Sequence, residues 1–254
     1  MMTFRPLLQT LVMILTAFAA LPTCARAGAD ALTPGEYITQ GGWGVLTISR
    51  SETRTTQFSL EATGANGHSC SLDGDIQNGK AILPTGDPDA DPPGQPCVVT
   101  FRPTAEGIDV SDSDPKNDAN LDACRNFCGM RAHFEGEYLV PNPGCTTAES
   151  SATCSRSGQL YESHSYGEAA AVLEPLLAHC SNILGLEGSW IANDLAITQY
   201  HLGRLADCRK TLEPLAKDLA RTDESSLPPL DLELYLSLAK ATRHNLRLCA
   251  RKGH

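Results

Sequence analysis

The tetrapeptide Leu-Glu-Pro-Leu occurs twice in the C-terminal third of the chain, at Leu173–Leu176 and at Leu212–Leu215, 39 residues apart. The segment Gly167–Ala169 aligns at the same offset with Ala206–Cys208. A fixed period of this length is typical of stacked helical hairpins, because one hairpin cannot bury its apolar face without a neighbour. Such a scaffold offers a binding surface and brings no chemistry of its own. The sequence therefore predicts a helical repeat domain over residues 150–254.

A local pattern in the second unit is more specific. The pair Leu195-Ala196 stands in its first predicted helix, Gly203 follows seven residues after that alanine, and Cys208 supplies a small residue five positions later. This pattern resembles the tetratricopeptide repeat, and the resemblance covers about residues 150–251. The chain departs from that family in its period, since about 34 residues are usual, and in Gln199, where an aromatic is usual. The resemblance implies antiparallel helix pairs whose concave face holds a partner peptide.

Prolines mark two further features of this domain. Pro175 and Pro214 occupy the same place in the two Leu-Glu-Pro-Leu copies, where proline removes a helical hydrogen bond and normally kinks the chain. Pro228 and Pro229 separate two helices, because proline is tolerated in a first helical turn. We therefore expect the last helix to run from about Leu230 to Cys249.

The N-terminal half has the pattern of an all-β domain, which we assign to residues 28–145. Eight short β-prone runs lie between turn residues, as in a small antiparallel barrel or sandwich. Asn78-Gly79 favours a hairpin turn in which both residues take positive φ, and Ala105–Gly107 predicts a second hairpin. We therefore expect an α+β fold with two domains. The predicted strands are Gly35–Ile38, Trp43–Ser49, Thr56–Ala62, Ser69–Ile76, Lys80–Leu83, Val98–Thr104, Ile108–Ser111 and His133–Val140.

The core of this β domain is expected to be thin, because aromatic residues make up only 6% of the chain. Small disulfide-bonded barrels of exported proteins include inhibitors of lysozyme and of proteases. The N-terminal half is similar to them in format, without a shared motif. The best core candidates are Trp43, Phe58, Leu60, Leu72, Ile82, Val99, Phe101 and Ile108.

The first 27 residues have the features of a cleaved signal peptide. Arg5 gives a positive start, Leu11–Leu21 forms an apolar stretch, and Ala25–Ala27 has the small-x-small form that signal peptidase cuts after Ala27. The apolar stretch is too short to span a bilayer, which takes about 20 residues. An alternative is lipid attachment at Cys24, although Thr23, the residue before it, fits the lipid-attachment motif poorly. We therefore expect a periplasmic or secreted protein without a membrane span.

Nine cysteines remain after removal of the signal peptide, which indicates a disulfide framework formed in an oxidising compartment. Because nine is odd, at least one thiol has no partner within the chain. In an antiparallel helical hairpin, the start of the first helix lies beside the end of the second. The bridges that we expect are Cys70–Cys97 across neighbouring strands, Cys145 with Cys124 or Cys128, Cys154–Cys180, and Cys208–Cys249.

Acidic residues are concentrated in the N-terminal half. Residues 28–150 carry 18 acidic and 7 basic side chains, whereas residues 151–254 carry 12 and 11. This charge disfavours nucleic acid as a partner and suits a basic protein. A calcium loop starting at Asp118 would need Gly at Ala123 and Glu at Gly129, so we expect no metal site there. The acidic residues expected in exposed docking loops are Asp87, Asp89, Asp91, Asp112, Asp114 and Asp118.

The densest group of reactive side chains is the segment Cys124–His133. A zinc site would need two ligands besides its two cysteines, and only His133 and Cys145 are near in sequence. A redox dithiol more typically has two residues between its cysteines and lies beside a βαβ unit. We favour a structural role, in which Cys124 or Cys128 is bonded to Cys145.

The common catalytic motifs are absent from the sequence: it has no nucleophile elbow, no zinc-protease motif and no glycine-rich phosphate or dinucleotide loop. We therefore predict an exported binding protein, with no catalytic residue and no cofactor, that docks onto another envelope protein. In one version it inhibits a basic hydrolase such as lysozyme. An alternative is an envelope assembly factor that captures a partner peptide on its helical repeat. Another is an enzyme that uses the unpaired cysteine or His133. The partner's identity and the oligomeric state do not follow from the sequence.

Overall fold

The computed structural model describes residues 32–86, 94–112 and 118–250. The strands are β1 (Gly35–Thr39), β2 (Gly44–Arg50), β3 (Thr56–Thr63), β4 (Ser69–Ile76), β5 (Lys80–Leu83), β6 (Cys97–Pro103), β7 (Gly107–Ser111) and β8 (Gly136–Leu139). The α-helices are α1 (Asp118–Cys124), α2 (Thr147–Glu162), α3 (Tyr166–Cys180), α4 (Gly185–His201), α5 (Leu205–Arg221) and α6 (Pro229–Cys249). The predicted signal peptide (1–27) and the acidic positions Asp87, Asp89, Asp91 and Asp114 lie outside the described residues.

The eight strands form one antiparallel, nearly closed barrel. Their order is β4-β3-β2-β1-β8-β7-β6-β5, so each half of the sheet is a meander and the β1–β8 pair joins the halves. The two edge strands, β4 and β5, are linked by a turn in which φ is 52° at Asn78 and 74° at Gly79. Gln77 and Lys80 exchange both main-chain hydrogen bonds across it, at 2.8 and 3.0 Å. The eight predicted strands and this hairpin turn are therefore confirmed.

Apolar side chains from alternate positions of the strands fill the barrel. Leu60 and Val99, for example, have no exposed surface. The prediction of Ile82 as a core residue was wrong, because its side chain is 69% exposed. Successive side chains of a strand point to opposite faces, and in β5 it is Ala81 and Leu83 that point inward.

The C-terminal helices stack as two hairpins followed by a final helix. α2 packs on α3 and α4 packs on α5, while α6 contacts both α4 and α5. Leu173 in α3 and Leu212 in α5, which begin the two Leu-Glu-Pro-Leu copies, are both buried. Pro175 and Pro214 lie inside helices that continue through them. The last helix agrees with its predicted limits to within one residue, and Pro229 lies in its first turn.

Two disulfide bonds in the barrel correct the predicted pairing. Cys70 is bonded to Cys128, and Cys97 is bonded to Cys124. The predicted Cys70–Cys97 bridge and the predicted bridge from Cys145 to Cys124 or Cys128 were therefore wrong. The reason is that β4 and β6, which carry Cys70 and Cys97, are not neighbours in the sheet. The segment that contains α1 crosses one end of the barrel, and the two bonds tie it to β4 and to β6.

The helical part contains two more disulfide bonds. Cys145, just before α2, is bonded to Cys180 at the end of α3. Cys208, near the start of α5, is bonded to Cys249 at the end of α6, which is the pair expected from antiparallel packing. The predicted Cys154–Cys180 bridge was wrong, because Cys154 lies about 10 Å along α2 from the start of that helix. Cys154 is half-buried and has no disulfide partner within the part of the chain that the structure describes.

Four disulfides fit an exported protein, since such bonds persist in oxidising compartments. None of the helices in the described ranges combines the length and the apolar character needed to cross a membrane.

Several contacts fix the helices to the barrel, and the first lies at the turn between β1 and β2. Gly41 donates a main-chain hydrogen bond of 2.7 Å to Asn182, which lies between α3 and α4. Gly42 and Gly185 permit this approach, because a Cβ atom on either would overlap a carbonyl oxygen of the opposite segment. Ile38 of β1 is buried together with apolar residues of α3 and α4.

A second contact lies at the turn before β4, which caps α6. The Oδ1 atom of Asn66 accepts a hydrogen bond of 2.9 Å from the main-chain N–H of Leu230. In return, the Asp231 carboxylate accepts hydrogen bonds of 2.9 and 3.0 Å from the main-chain N–H of Asn66. Pro228, which precedes α6, supplies no side-chain cap. A residue more than 160 positions away in the chain therefore satisfies the first turn of this helix.

Candidate functional site

A groove lies between α2 and α4, and its volume is about 240 Å³. α2 begins with a capping box, in which the side chains of Thr146 and Glu149 each bond the other's main chain. The buried residues of α2 are small, namely Ser150 and Ser157. Small side chains fill little of the space between helices, so a gap stays open. This α2–α4 groove is lined by Cys154, Ser157, Gly158, Tyr161, Glu162, Leu173, Asp194, Ile197 and Thr198.

The charged side chains that line the α2–α4 groove, Glu162 and Asp194, are both acidic. Burial raises the pKa of the Asp194 carboxyl, although part of this side chain reaches solvent. Burial also raises the pKa of the Cys154 thiol, and the charges of Glu187 and Asp194 raise it further. The pKa of the Tyr161 hydroxyl is raised by burial first and then by Tyr166 and Asp194. Because negative neighbours oppose the formation of further negative charge, the groove favours a positively charged ligand.

Cys154 is poorly placed for nucleophilic chemistry. The thiolate is the reactive form of cysteine, and the raised pKa of Cys154 keeps its thiol protonated at neutral pH. His133, the other residue of the enzyme hypothesis, lies on the barrel, where its ring is 4.8 Å from the ring of Trp43. The structure therefore does not bring Cys154 and His133 together.

An aromatic cluster extends the α2–α4 groove at the C-terminal end of α4. The rings of Tyr166 and His201 are stacked, with 4.5 Å between centroids and an interplanar angle of 9°. Tyr161 lies edge-on to both, at 5.2 Å from Tyr166 and 5.6 Å from His201. The sequence does not reveal this cluster, because its members come from three helices. The available signal was the pair of tyrosines that flanks the turn between α2 and α3.

A second recess lies at the end of the barrel that the α1 segment crosses. This barrel-mouth cavity has a volume of about 390 Å³. Both barrel disulfides contribute to its wall, through Cys124 and Cys128. The other lining residues are Asp112, Arg125, Gly129, Met130, Ala132, His133, Phe134 and Glu135.

The prediction that Asp112 lies in an exposed docking loop was wrong, because this residue is only 4% exposed. Burial is the main reason that the pKa of its carboxyl is raised to about 7, and hydrogen bonding to Glu135 and the Glu135 charge raise it further. Glu135 has a similar effect on Tyr138, whose pKa is raised by burial and then by that charge. The two carboxyl groups therefore share one site, which disfavours charge on both at once.

Asn120 holds the main chain of Asp112 in place. Its side-chain amide donates to the main-chain oxygen of Asp112 and, at 3.0 Å, to that of Val98. Its Oδ1 atom accepts a hydrogen bond of 2.7 Å from the main-chain N–H of Val98. An asparagine amide has the same donor and acceptor as a peptide group, so Asn120 continues the hydrogen bonding of β6 where β7 has ended. Asp118, also predicted in a docking loop, is the first residue of α1.

Within residues 32–86, 94–112 and 118–250, no group of three or more His, Cys, Asp or Glu side chains is arranged to hold a metal ion. Comparison of the chain with protein-family models, curated proteins and solved structures finds no match. The tetratricopeptide resemblance and the inhibitor-like format of the barrel therefore stay predictions.

Proposed function

We propose that this protein is an exported binding protein, without catalytic chemistry, that captures a segment of a partner protein in the α2–α4 groove. The supporting observation is that one groove combines an apolar floor, an aromatic ring and acidic side chains. Leu173 and Ile197 offer apolar contact, and Tyr161 offers a ring whose hydroxyl can reach water. The groove volume of about 240 Å³ is below the range of about 300–1,000 Å³ usual for small-molecule sites. It suits one or two side chains of a protein.

The occupant that fits is an extended segment with an apolar residue followed by Lys or Arg. The apolar side chain contacts Leu173 and Ile197, and the neighbouring cation lies beside Asp194. The Tyr166–His201 stack offers the next residue of the segment a flat aromatic surface. A basic partner also agrees with the acidic surplus of the chain, whose formal net charge is −10.

The test places a photo-reactive residue in the groove of the exported protein in its own cells. Tyr161→p-benzoylphenylalanine is compared with Gln159→p-benzoylphenylalanine, a nearby position on α2 that is exposed and outside the groove. We expect a discrete protein adduct, identified by mass spectrometry, from position 161 alone. The cross-linked partner peptide should contain a Lys or Arg next to an apolar residue.

A variant in which a larger side chain fills the α2–α4 groove provides a control for the cross-linking experiment. A Cβ atom at Gly158 would meet no atom within 4 Å, so Gly158→Leu can occupy the groove without displacing the chain. We expect this variant to abolish the adduct, whereas Ser155→Leu, at an exposed position of α2 outside the groove, should leave it unchanged. An adduct that survives Gly158→Leu, or one that forms equally from position 159, would contradict groove binding.

A second candidate function, inhibition of a basic hydrolase, is favoured by the outer face of β3 and β4. Glu61, Asp73 and Asp75 are all exposed there, on two paired strands. Their like charges attract a cationic protein, and that attraction weakens as salt screens it. The purified mature protein should then reduce lysozyme activity at low ionic strength and lose this effect at high salt. Unchanged lysozyme activity at low salt would remove this candidate.

A further inference from the structure

The barrel-mouth cavity is lined by a residue with one carboxyl oxygen that the described residues do not satisfy. Asp112 is 4% exposed, and its Oδ1 atom has no hydrogen-bond donor among the described residues. A buried polar atom without a partner is costly, and a buried carboxylate without a counter-ion is more so. The neighbouring Glu135 adds a second acidic group instead of a cation.

The groups around Asp112 leave its charge uncompensated. Arg125 lies at the exposed rim of the cavity, and its charge acts on Asp112 more weakly than Glu135 does. The Tyr138 hydroxyl is already committed, since it donates a hydrogen bond of 2.8 Å to the main-chain oxygen of Phe134. Asn120 bonds the main-chain oxygen of Asp112 and not its carboxyl. The unused acceptor belongs to a residue that lines a cavity of about 390 Å³, which has room for a small ligand.

We propose that the barrel-mouth cavity binds one organic cation, an alkylguanidinium or alkylammonium group, between the carboxyl groups of Asp112 and Glu135. The cation donates N–H hydrogen bonds to both groups, which is the geometry that carboxylates prefer for such ligands. As the cation enters, the proton on the Asp112 carboxyl passes to the solvent, so one positive charge replaces another. Cys124 and Cys128, each in a disulfide bond, form part of the cavity wall between Asp112 and Glu135 in sequence. This site is separate from the α2–α4 groove and does not depend on the function proposed for it.

Titration calorimetry of the disulfide-bonded mature protein tests the proposal. The probes are n-butylguanidinium and a blocked pentapeptide with a central arginine, each measured at pH 6.5 in two buffers of different ionisation enthalpy. We expect binding with release of up to one proton per cation, seen as a heat that depends on the buffer. The peptide with citrulline in place of arginine is uncharged and should bind at least tenfold more weakly. If the arginine peptide binds more tightly than butylguanidinium, the natural cation is a side chain of a protein. If the two bind equally, the natural cation is a free small molecule.

Three variants complete the experiment. Asp112→Asn should weaken binding at least tenfold and remove the proton release. Glu135→Gln, as a second variant, should weaken binding at least tenfold and reduce the proton release, because burial alone still raises the pKa of Asp112. Asp109→Asn changes a partly exposed carboxyl on the same strand, β7, and should leave binding unchanged. The proposal is overturned if neither cation binds, if the heat is independent of the buffer, or if both cavity variants bind like the parent protein.

Discussion

The cap that the barrel places on α6 gives a prediction with a calculable size. Asn66 makes two contributions: its Oδ1 atom caps Leu230, and its main chain takes a left-handed conformation, with φ of 58°. Loss of a capping side chain costs about 1 kcal/mol. Holding a residue with a Cβ atom in the left-handed region costs about 1 kcal/mol, which asparagine partly avoids. We therefore expect Asn66→Ala to lower the free energy of unfolding by about 2 kcal/mol.

Two further variants separate these contributions. Asn66→Gly removes the cap but adopts positive φ freely, so its loss should be about 1 kcal/mol or less. Asn78 also has positive φ, at 52°, but it lies in the exposed turn between β4 and β5. Asn78→Ala should therefore show the backbone cost alone, about 1 kcal/mol.

Differential scanning calorimetry with the disulfides intact measures these losses. For a chain of this size, 2 kcal/mol corresponds to a decrease in Tm of about 4–8 °C. A loss below about 0.5 kcal/mol for both Asn66→Ala and Asn66→Gly would refute the capping argument. Equal losses for Asn66→Ala and Asn66→Gly would refute the backbone argument.

Three other predictions concern the carboxyl pair, a disulfide and the unpaired thiol. Because the folded-state pKa of Asp112 is raised to about 7 from an ordinary 3.8, folding takes up a proton between these values. Stability should therefore fall as pH rises from about 4 to about 7, by at most about 4 kcal/mol. Urea unfolding against pH should show this slope in the parent protein, and a slope unchanged in Asp112→Asn would contradict it. The Cys145–Cys180 bridge closes a loop with a sequence separation of 35. Replacing both cysteines by serine should therefore lower the free energy of unfolding by about 4 kcal/mol in the same assay. A loss below 1 kcal/mol would show that the bond constrains the unfolded chain little. The raised pKa of Cys154 should make its alkylation by iodoacetamide at pH 8 slower than in the urea-unfolded chain, and faster alkylation would rule out the protonated, shielded thiol.

Gln199 shows where the helical prediction reached its limit. The sequence marked this residue as a departure from the tetratricopeptide pattern, and it could not say what the residue does. In the structure Gln199 is buried, and its Oε1 atom accepts a hydrogen bond of 2.9 Å from Thr211 of α5. Its amide donates to Glu174 of α3 at 3.4 Å. A polar bridge among three helices takes the place of an aromatic contact.

The sequence by itself determined the local structure of this protein. The eight strands, the turn at Asn78-Gly79 and the limits of α6 follow from alternation, positive φ and proline, and each depends on residues a few positions apart. These patterns can be read from the sequence because residues that are neighbours in the chain are always close in space.

Only the tertiary structure decided what the surface can bind. Asp112 looked like a solvated loop residue, yet it is buried beside Glu135, 23 positions further along. Cys180 bonds Cys145 and not Cys154, because Cys145 alone lies at the start of the α2–α3 hairpin. Burial, charge pairing and disulfide partners depend on distances between segments far apart in the chain. Those distances are set by tertiary packing, and of the four disulfide pairs only Cys208–Cys249 was predicted from the sequence.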